Sequence, residues 1–479
     1  MSIRRSLITA VSGRFAGVFL QIVGSLVIAR LLAPAEFGLF GIAGSVIAIS
    51  GSLREFGVSS YLIRLEKVDR TALGRALAFT LSISLAAGIV IFLSRHAIAA
   101  FFREPEIAGL ISVLCLNFAL IPPTIGATAL LHRQMRFGVL NLMSLGCTVV
   151  STITTLTLAA IGYGALSLAI GQVLQILLYL GCLTVWDWRS VVVRPVFTAM
   201  GDMIRFGSFS AMSSLVNQLG AYVTSLVLGR LLGPTAVGIY DRGNGLFVSL
   251  ANDVVGTIGG VLFVGLSRVR GDRAELSRLL LQSLRNLTAI AWPGFLLVAV
   301  LAEPLMTVMF GPRWLPSAGV LRVLCLSGLL TSGTVLYFQT VLAMGATRRI
   351  FAIEATGQGV RVAAVLALAG AGVLGAAWAA VIAMGVIFLL YLVAVRTYVR
   401  ARRREIIGIY AESLALAVAT AALPALVVAT DPFAMPLLIQ LGASGILALV
   451  TWLIAIFTRH HPLAGELRRL IAQIRERLA

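Results

Sequence analysis

The sequence predicts an all-α membrane protein of about fourteen transmembrane helices: two six-helix lobes related by a pseudo-twofold along the membrane normal, plus two C-terminal helices. Three observations predict it. The first is composition: 59% of the 479 residues are apolar, only 12% are charged, and the mean hydropathy is +1.00. Water-soluble domains carry roughly 25% charged residues, which their surfaces require. The second is a series of apolar runs, each long enough to cross a hydrocarbon core at about 20 residues per helix. The third is a repeat. Leu26–Phe40 reads LVIARLLAPAEFGLF and Leu226–Tyr240 reads LVLGRLLGPTAVGIY, identical at seven positions and 200 residues apart. Similarity at that distance marks a duplicated bundle, an architecture of secondary transporters.

The elements follow in order. Six spans are expected in the first half, at 10–32, 37–63, 73–94, 107–131, 138–160 and 163–185. The second half supplies 206–232, 237–265, 286–302, 317–343, 350–370 and 373–395. Two more, 407–429 and 433–457, follow a basic linker. The domain reading is therefore 1–195 and 196–400 for the lobes, 401–460 for the added helices, and 461–479 for an amphipathic cytoplasmic tail. Fragments inside the lobes extend the repeat: ISVLCL at Ile111–Leu116 parallels LRVLCL at Leu321–Leu326. An even number of spans per copy makes both copies enter from the same side, so the relating axis lies along the membrane normal.

Charge orients the bundle. The net charge of +19 comes from 38 Lys and Arg against 19 Asp and Glu, and Lys67 is the only lysine. The bases fall in alternate loops: Arg4 and Arg5, Arg64 to Arg75, Arg133 and Arg136, Arg189 to Arg205, Arg268 to Arg285, Arg348 and Arg349, and Arg396 to Arg404. The opposite loops keep little beyond Arg95, Arg103 and Arg313. That bias places both termini in the cytoplasm and directs the positive charge at the anionic leaflet of a membrane, with no stripe for nucleic acid. No cleavable leader pattern follows Arg4 and Arg5, so the first span is expected to stay. Cys115, Cys147, Cys182 and Cys325 lie in apolar runs and read as small hydrophobes. Neither they nor the four histidines have metal-ligand spacing, and no cofactor is expected. Arg268–Asn286 and Pro462–Leu478 alternate bases, acids and leucines at helical spacing, as interfacial helices do. Pro122-Pro123 and Pro293 predict kinks in the fourth and ninth spans.

The R-L-L-x-P-x-x-[FV]-G boundary, the R-E-F-G at Arg54–Gly57 and the six-plus-six repeat resemble the polysaccharide transporter family. This is the O-antigen and exopolysaccharide flippase family within the multidrug/oligosaccharidyl-lipid/polysaccharide exporter superfamily. The resemblance covers essentially the whole chain. It implies a flippase that moves an undecaprenyl-diphosphate-linked oligosaccharide across the bacterial inner membrane by alternating access, coupled to H+ or Na+. The same resemblance implies a cavity lined by the first, second, seventh and eighth spans, and polysaccharide assembly proteins as partners.

Polar residues inside spans are costly, about 2.5–3.5 kcal/mol for a mid-membrane charge, so they normally face protein or water. Arg14, Gln21, Arg54 and Glu55 stand in the first two spans, and Asn217, Gln218, Tyr222, Asp241, Arg242 and Asp253 in the seventh and eighth. Glu354 and Arg361 stand alone in the eleventh. Guanidinium forks match phosphate oxygens, so Arg14 and Arg54 are the expected diphosphate ligands. Gln21, Asn217, Gln218 and Tyr222 are the expected sugar contacts. Asp253, Glu55, Asp241, Arg242 and Arg361 are the candidates for ion coupling or cavity charge. Against this stands a structural reading, in which Arg54 pairs with Glu55 or Asp253 and Arg14 snorkels to the interface. Arg30 and Arg230 read as helix-end charges that complement the C-terminal dipole.

Two same-fold functions and one from a different class compete with this reading. A drug/cation antiporter of this fold normally needs acids in its first lobe, where only Glu55 is available; a peptidoglycan-precursor flippase typically has more cavity arginines. A membrane polymerase, ligase or glycosyltransferase needs long outer loops carrying acids, Arg or His, and the outer loops here are short. With no GxxxxGK[ST] phosphate loop, ATP-driven transport by this chain is not expected, nor is enzymatic catalysis.

Overall fold

A computed structural model describes residues 23–52, 58, 62, 68–198, 201–252, 255, 257–269, 271–430, 436–458 and 462–465. Among these residues the secondary structure is helical throughout, with no strand. Among the described residues eleven helices are long and apolar enough to cross a membrane, and a bent pair brings the number to twelve. Of the fourteen expected spans, the first begins outside the described residues. Of the eighth, Pro234–Ala251 and Thr257–Arg268 are described as α-helix, and residues 253, 254 and 256 between them lie outside the described residues.

The chain falls into two compact units, Met1–Gly238 and Ile239–Ala479. In the first, helices α1 (Pro34–Ser52), α2 (Arg70–Phe102), α3 (Glu106–Leu114), α4 (Pro122–Arg133), α5 (Phe137–Ala160), α6 (Ala165–Val191) and α7 (Gly201–Leu232) follow one another. Here α1 packs on α7 and α3, α2 on α3 and α4, and α6 on α5 and α4. By repeat α7 opens the second lobe expected from residue 196, yet by contact it belongs to the first unit. Asp69 starts α2 because its carboxylate accepts the Ala72 amide at 2.8 Å, satisfying one of the orphan donors of the first turn. The Pro122-Pro123 pair does what the sequence predicts: Glu106–Leu120 and Pro122–Arg133 meet at a 48° bend. Proline removes an i→i−4 hydrogen bond and crowds the preceding turn.

The second unit contains α8 (Pro234–Ala251, whose first turn lies in the first unit), α9 (Thr257–Arg268), α10 (Arg273–Val300), α11 (Ala302–Phe310), α12 (Pro316–Ala343), α13 (Thr347–Leu368), α14 (Val373–Val395), α15 (Arg403–Thr430) and α16 (Leu437–Thr458). Its centre is α12, packed on α10 and α14; α15 packs on α10, α16 on α15, and α13 on α14. The expected interfacial helix at 268–286 is not separate. Asp272 caps it by accepting the Ala274 and Glu275 amides at 2.8 and 3.1 Å, and it runs without interruption into the ninth span.

Aromatic and hydroxyl groups join the inner helices of this unit. The Trp292 indole donates to the Leu329 carbonyl and the Ser332 hydroxyl, both at 3.0 Å, and stacks on Tyr410 with centroids 5.4 Å apart. Tyr410 and Tyr337 hydroxyls meet at 3.0 Å, and Phe388 packs edge-on to Tyr410. Thr288 and Ser413 share a hydrogen bond of 2.7 Å, and Trp452 donates to the Ala289 carbonyl at 2.9 Å. In a bilayer no hydrophobic drive separates helix faces, so close packing and such bonds hold helices together.

Candidate functional site

The duplicated motif builds an unusual contact in the first unit. Pro34 opens α1 at the first helical position, where its missing N–H costs nothing. The Glu36 carboxylate reaches back to accept the Ala33 amide at 2.6 Å, closing the turn. In the second copy Gly233, at φ +83°, makes the turn ahead of Pro234, a left-handed position that suits glycine. The two turns then lie against each other. A Cβ added at Gly38 would fall on the Pro234 carbonyl, and one added at Gly238 on the Pro34 carbonyl. The Gly38 and Gly238 backbones therefore touch directly, and each copy of the motif is seated on the other.

Further back along the chain, α7 carries Asn217, Gln218 and Tyr222, the expected sugar contacts. Asn217 is exposed, whereas Gln218 and Tyr222 are half-buried. Tyr222 lies two turns before Arg230, in the last turn of α7, whose guanidinium sits 5.3 Å from the Phe101 ring centre. That contact supports the structural reading of Arg230. Arg14, Gln21, Arg54, Glu55 and Asp253 lie outside the described residues.

In the second unit the Asp241–Arg242 pair lies on α8. The Arg242 guanidinium stands 4.7 Å from the ring centres of both Phe310 and Trp314. Phe310 ends α11 and Trp314 is fully buried in the short turn that follows. A planar cation bracketed by two rings is held by its quadrupole contacts as well as by its charge, a geometry lysine cannot reproduce.

Arg361 lies on α13 and does not stand alone. Glu354, Gln358 and Arg361 follow at i, i+4 and i+7, so they share one helical face. The Tyr391 hydroxyl of α14 donates to Glu354 Oε1 at 2.7 Å. Gln358 Oε1 is buried without a hydrogen-bond partner. Sequence reasoning registered Glu354 and Arg361 but missed Gln358 and Tyr391. The i, i+4, i+7 spacing was available in the sequence; the tyrosine, 37 residues away on the next helix, was not. Among the described residues no group of three or more His, Cys, Asp and Glu is placed to hold a metal ion.

Known proteins share part of this sequence and its fold. The chain is 25% identical over 325 residues to the lipopolysaccharide biosynthesis protein WzxC of Escherichia coli K12, covering 65% of this chain and 64% of that one. It is 29% identical over 313 residues to the succinoglycan biosynthesis transport protein ExoT of Rhizobium meliloti, covering 64% and 62%. The chain thus spans somewhat less than two thirds of the length of the curated relatives it matches. Among solved structures, the lipid II flippase MurJ in an inward closed conformation superposes with a TM-score of 0.77 at 15% identity, over 95% of this chain and 99% of that one. An inward-facing MATE multidrug transporter gives 0.60 at 17% identity, over 84% and 98%. At such identities these two likenesses establish the fold alone. Residues 27–319, more than half of the chain, match the family described as polysaccharide biosynthesis protein, and the chain belongs to that family.

Proposed function

We propose that the protein is a flippase carrying an undecaprenyl-diphosphate-linked oligosaccharide from the cytoplasmic to the periplasmic leaflet of a bacterial inner membrane, with both termini in the cytoplasm. One observation carries the reading: a chain of the polysaccharide biosynthesis family has a membrane fold like that of a lipid-linked-precursor flippase. The repeat supports it, because alternating access needs two equivalent bundles that can rock. No covalent step is required of the protein; the work is exposure of one polar headgroup to one leaflet at a time.

In this proposal Arg14 and Arg54 receive the diphosphate, and Gln21, Asn217, Gln218 and Tyr222 meet sugar hydroxyls. Asp253, Glu55, Asp241, Arg242 and Arg361 supply ion coupling or cavity charge, with H+ or Na+ as the driving ion. The α13 track adds Glu354, a carboxylate held by a phenol and followed by an unsatisfied amide oxygen, an arrangement that suits a cation or a proton. Polysaccharide assembly proteins would draw on the delivered substrate.

The test is reconstitution in liposomes with a fluorescent lipid-linked oligosaccharide whose outer-leaflet fraction is quenched or cleaved. Wild-type protein is expected to move label between leaflets. Arg14→Glu and Arg54→Glu are expected to abolish movement while inserting normally. Unimpaired flipping by both variants would remove the diphosphate role, and transport of a cationic drug without lipid movement would replace the flippase with an antiporter.

A further inference from the structure

A cavity of about 480 Å3 lies wholly within the second unit, between α10, the first turns of α15 and Pro462, which begins the short helical turn after α16. Its polar wall holds Arg285, Arg404, Glu405 and Glu412, and its apolar wall includes Leu281 and Ile409. The volume is within the range of small-ligand sites, roughly 300–1,000 Å3. Arg285 Nε and Glu412 Oε2 lie 3.3 Å apart and bridge α10 to α15, with 38% and 55% of their side chains still exposed. Glu405 is anchored by accepting the Arg402 amide at 2.9 Å, which holds its carboxylate at the mouth of α15. Positions 404 and 412 are separated by about 12 Å along the helix at 1.5 Å per residue. The wall is therefore long enough to seat a headgroup and its glycerol, with Leu281 and Ile409 interleaved among the polar residues of α10 and α15.

Charge selects the occupant. The flanking segment is strongly basic: Arg396, Arg400, Arg402, Arg403 and Arg404 fall within nine residues. Such a surface attracts anionic lipids without discrimination. The cavity departs from that pattern, because its two arginines are balanced by two glutamates and its wall is neutral. A neutral wall with both signs displayed is complementary to a zwitterion carrying N–H donors. We propose that this cavity binds the headgroup of an aminophospholipid. Its phosphate lies against the Arg285 and Arg404 guanidiniums, and its primary ammonium donates to the Glu412 and Glu405 carboxylates. The apolar side chains of Leu281 and Ile409 pack against its glycerol and first acyl carbons. Phosphatidylcholine has the same phosphate but no N–H donor, and phosphatidylglycerol has no cation, so the two discriminate the chemistry.

The experiment uses the full chain purified in detergent and titrated with single phospholipids, read by native mass spectrometry and by thermal unfolding. Phosphatidylethanolamine is expected to be retained about tenfold more strongly than phosphatidylcholine or phosphatidylglycerol, the worth of one charge-assisted hydrogen bond. O-phosphoethanolamine, the headgroup alone, is expected to give no stabilisation, because it lacks the apolar half of the site. Glu412→Gln makes the wall net positive and is expected to turn the preference toward phosphatidylglycerol. Arg404→Gln, an exposed change in the first turn of α15, is expected to weaken retention of all three, and it keeps the test decisive if Glu412→Gln fails to fold. Equal retention of the three lipids by the wild type overturns the proposal. So does stabilisation by the free headgroup, an unaltered preference in Glu412→Gln, or unaltered retention in Arg404→Gln.

Discussion

Replacing Gly38 with alanine tests the self-seating of the repeated motif. The added Cβ would occupy the position of the Pro234 carbonyl and approach the Gly238 nitrogen at 3.0 Å. Both are backbone atoms, so no side chain can swing aside and α1 must retreat from the Pro234 turn. Forced overpacking of this kind costs about 1–3 kcal/mol. Against it, alanine gains up to about 1 kcal/mol over glycine in a helix interior. Gly44, on the same helix, separates the two effects, since a Cβ there meets nothing within 4 Å. Gly44→Ala should therefore be neutral or stabilising, and Gly38→Ala should fall below it by about 1–3 kcal/mol. Gly238→Ala, whose Cβ would strike the Pro34 carbonyl, should behave like Gly38→Ala. The double variant should cost less than the sum, because a retreat made for one Cβ makes room for the other. Thermal unfolding in detergent, read with a thiol-reactive dye, suits the protein: Cys325 is buried and becomes reactive only on opening. A Gly38→Ala midpoint equal to or above that of Gly44→Ala would refute the backbone contact.

Arg242→Lys keeps the charge but loses the planar stacking between Phe310 and Trp314, and should cost about 1–2 kcal/mol in thermal stability, with Arg242→Leu no less damaging; an unchanged midpoint for both removes the bracket's importance. Trp292→Ala deletes a buried indole, its two hydrogen bonds and its stacking on Tyr410, and should cost about 3–5 kcal/mol by the same dye assay. Cys147 and Cys182 sulfurs lie 3.9 Å apart between α5 and α6, so mild oxidation with diamide should link them, seen as a crosslinked peptide by mass spectrometry. If both thiols alkylate readily and no linkage forms, the pairing of α5 and α6 is wrong in register. Glu354→Gln and Tyr391→Phe should both lower ion-dependent transport in liposomes while leaving lipid extraction in detergent unaffected; transport with unchanged ion dependence in both variants would remove the α13 track from coupling.

Much of the fold was legible because bilayer constraints are written in composition. Long apolar runs such as 73–94 and 373–395 have few alternatives to a spanning helix, and they appear as α2 and α14. Prolines 122 and 123 announced their bend for an equally local reason. What was not legible is rotational phase. Glu354 looked isolated because its partner, Tyr391, is fixed by how α13 and α14 turn toward each other, which hydropathy does not encode. The stretch at 268–286 was read as a surface helix because its charges are periodic. The structure extends it into α10, since no breaking residue separates Asn286 from the apolar turns beyond. Cys147 and Cys182 read as unrelated hydrophobes for the same reason that Tyr391 was missed. The repeat announced a duplication, yet nothing in either copy said that Pro34 and Pro234 would be neighbours.

That neighbourhood has a consequence for how the chain can change. At most places in a duplicated protein the two copies answer to different surroundings and drift apart independently. Here each turn is the mould in which the other is cast, so enlarging one disturbs its twin at the same atoms. The proline and the glycine, two of the seven identities within these fifteen positions, are the residues that meet at this contact.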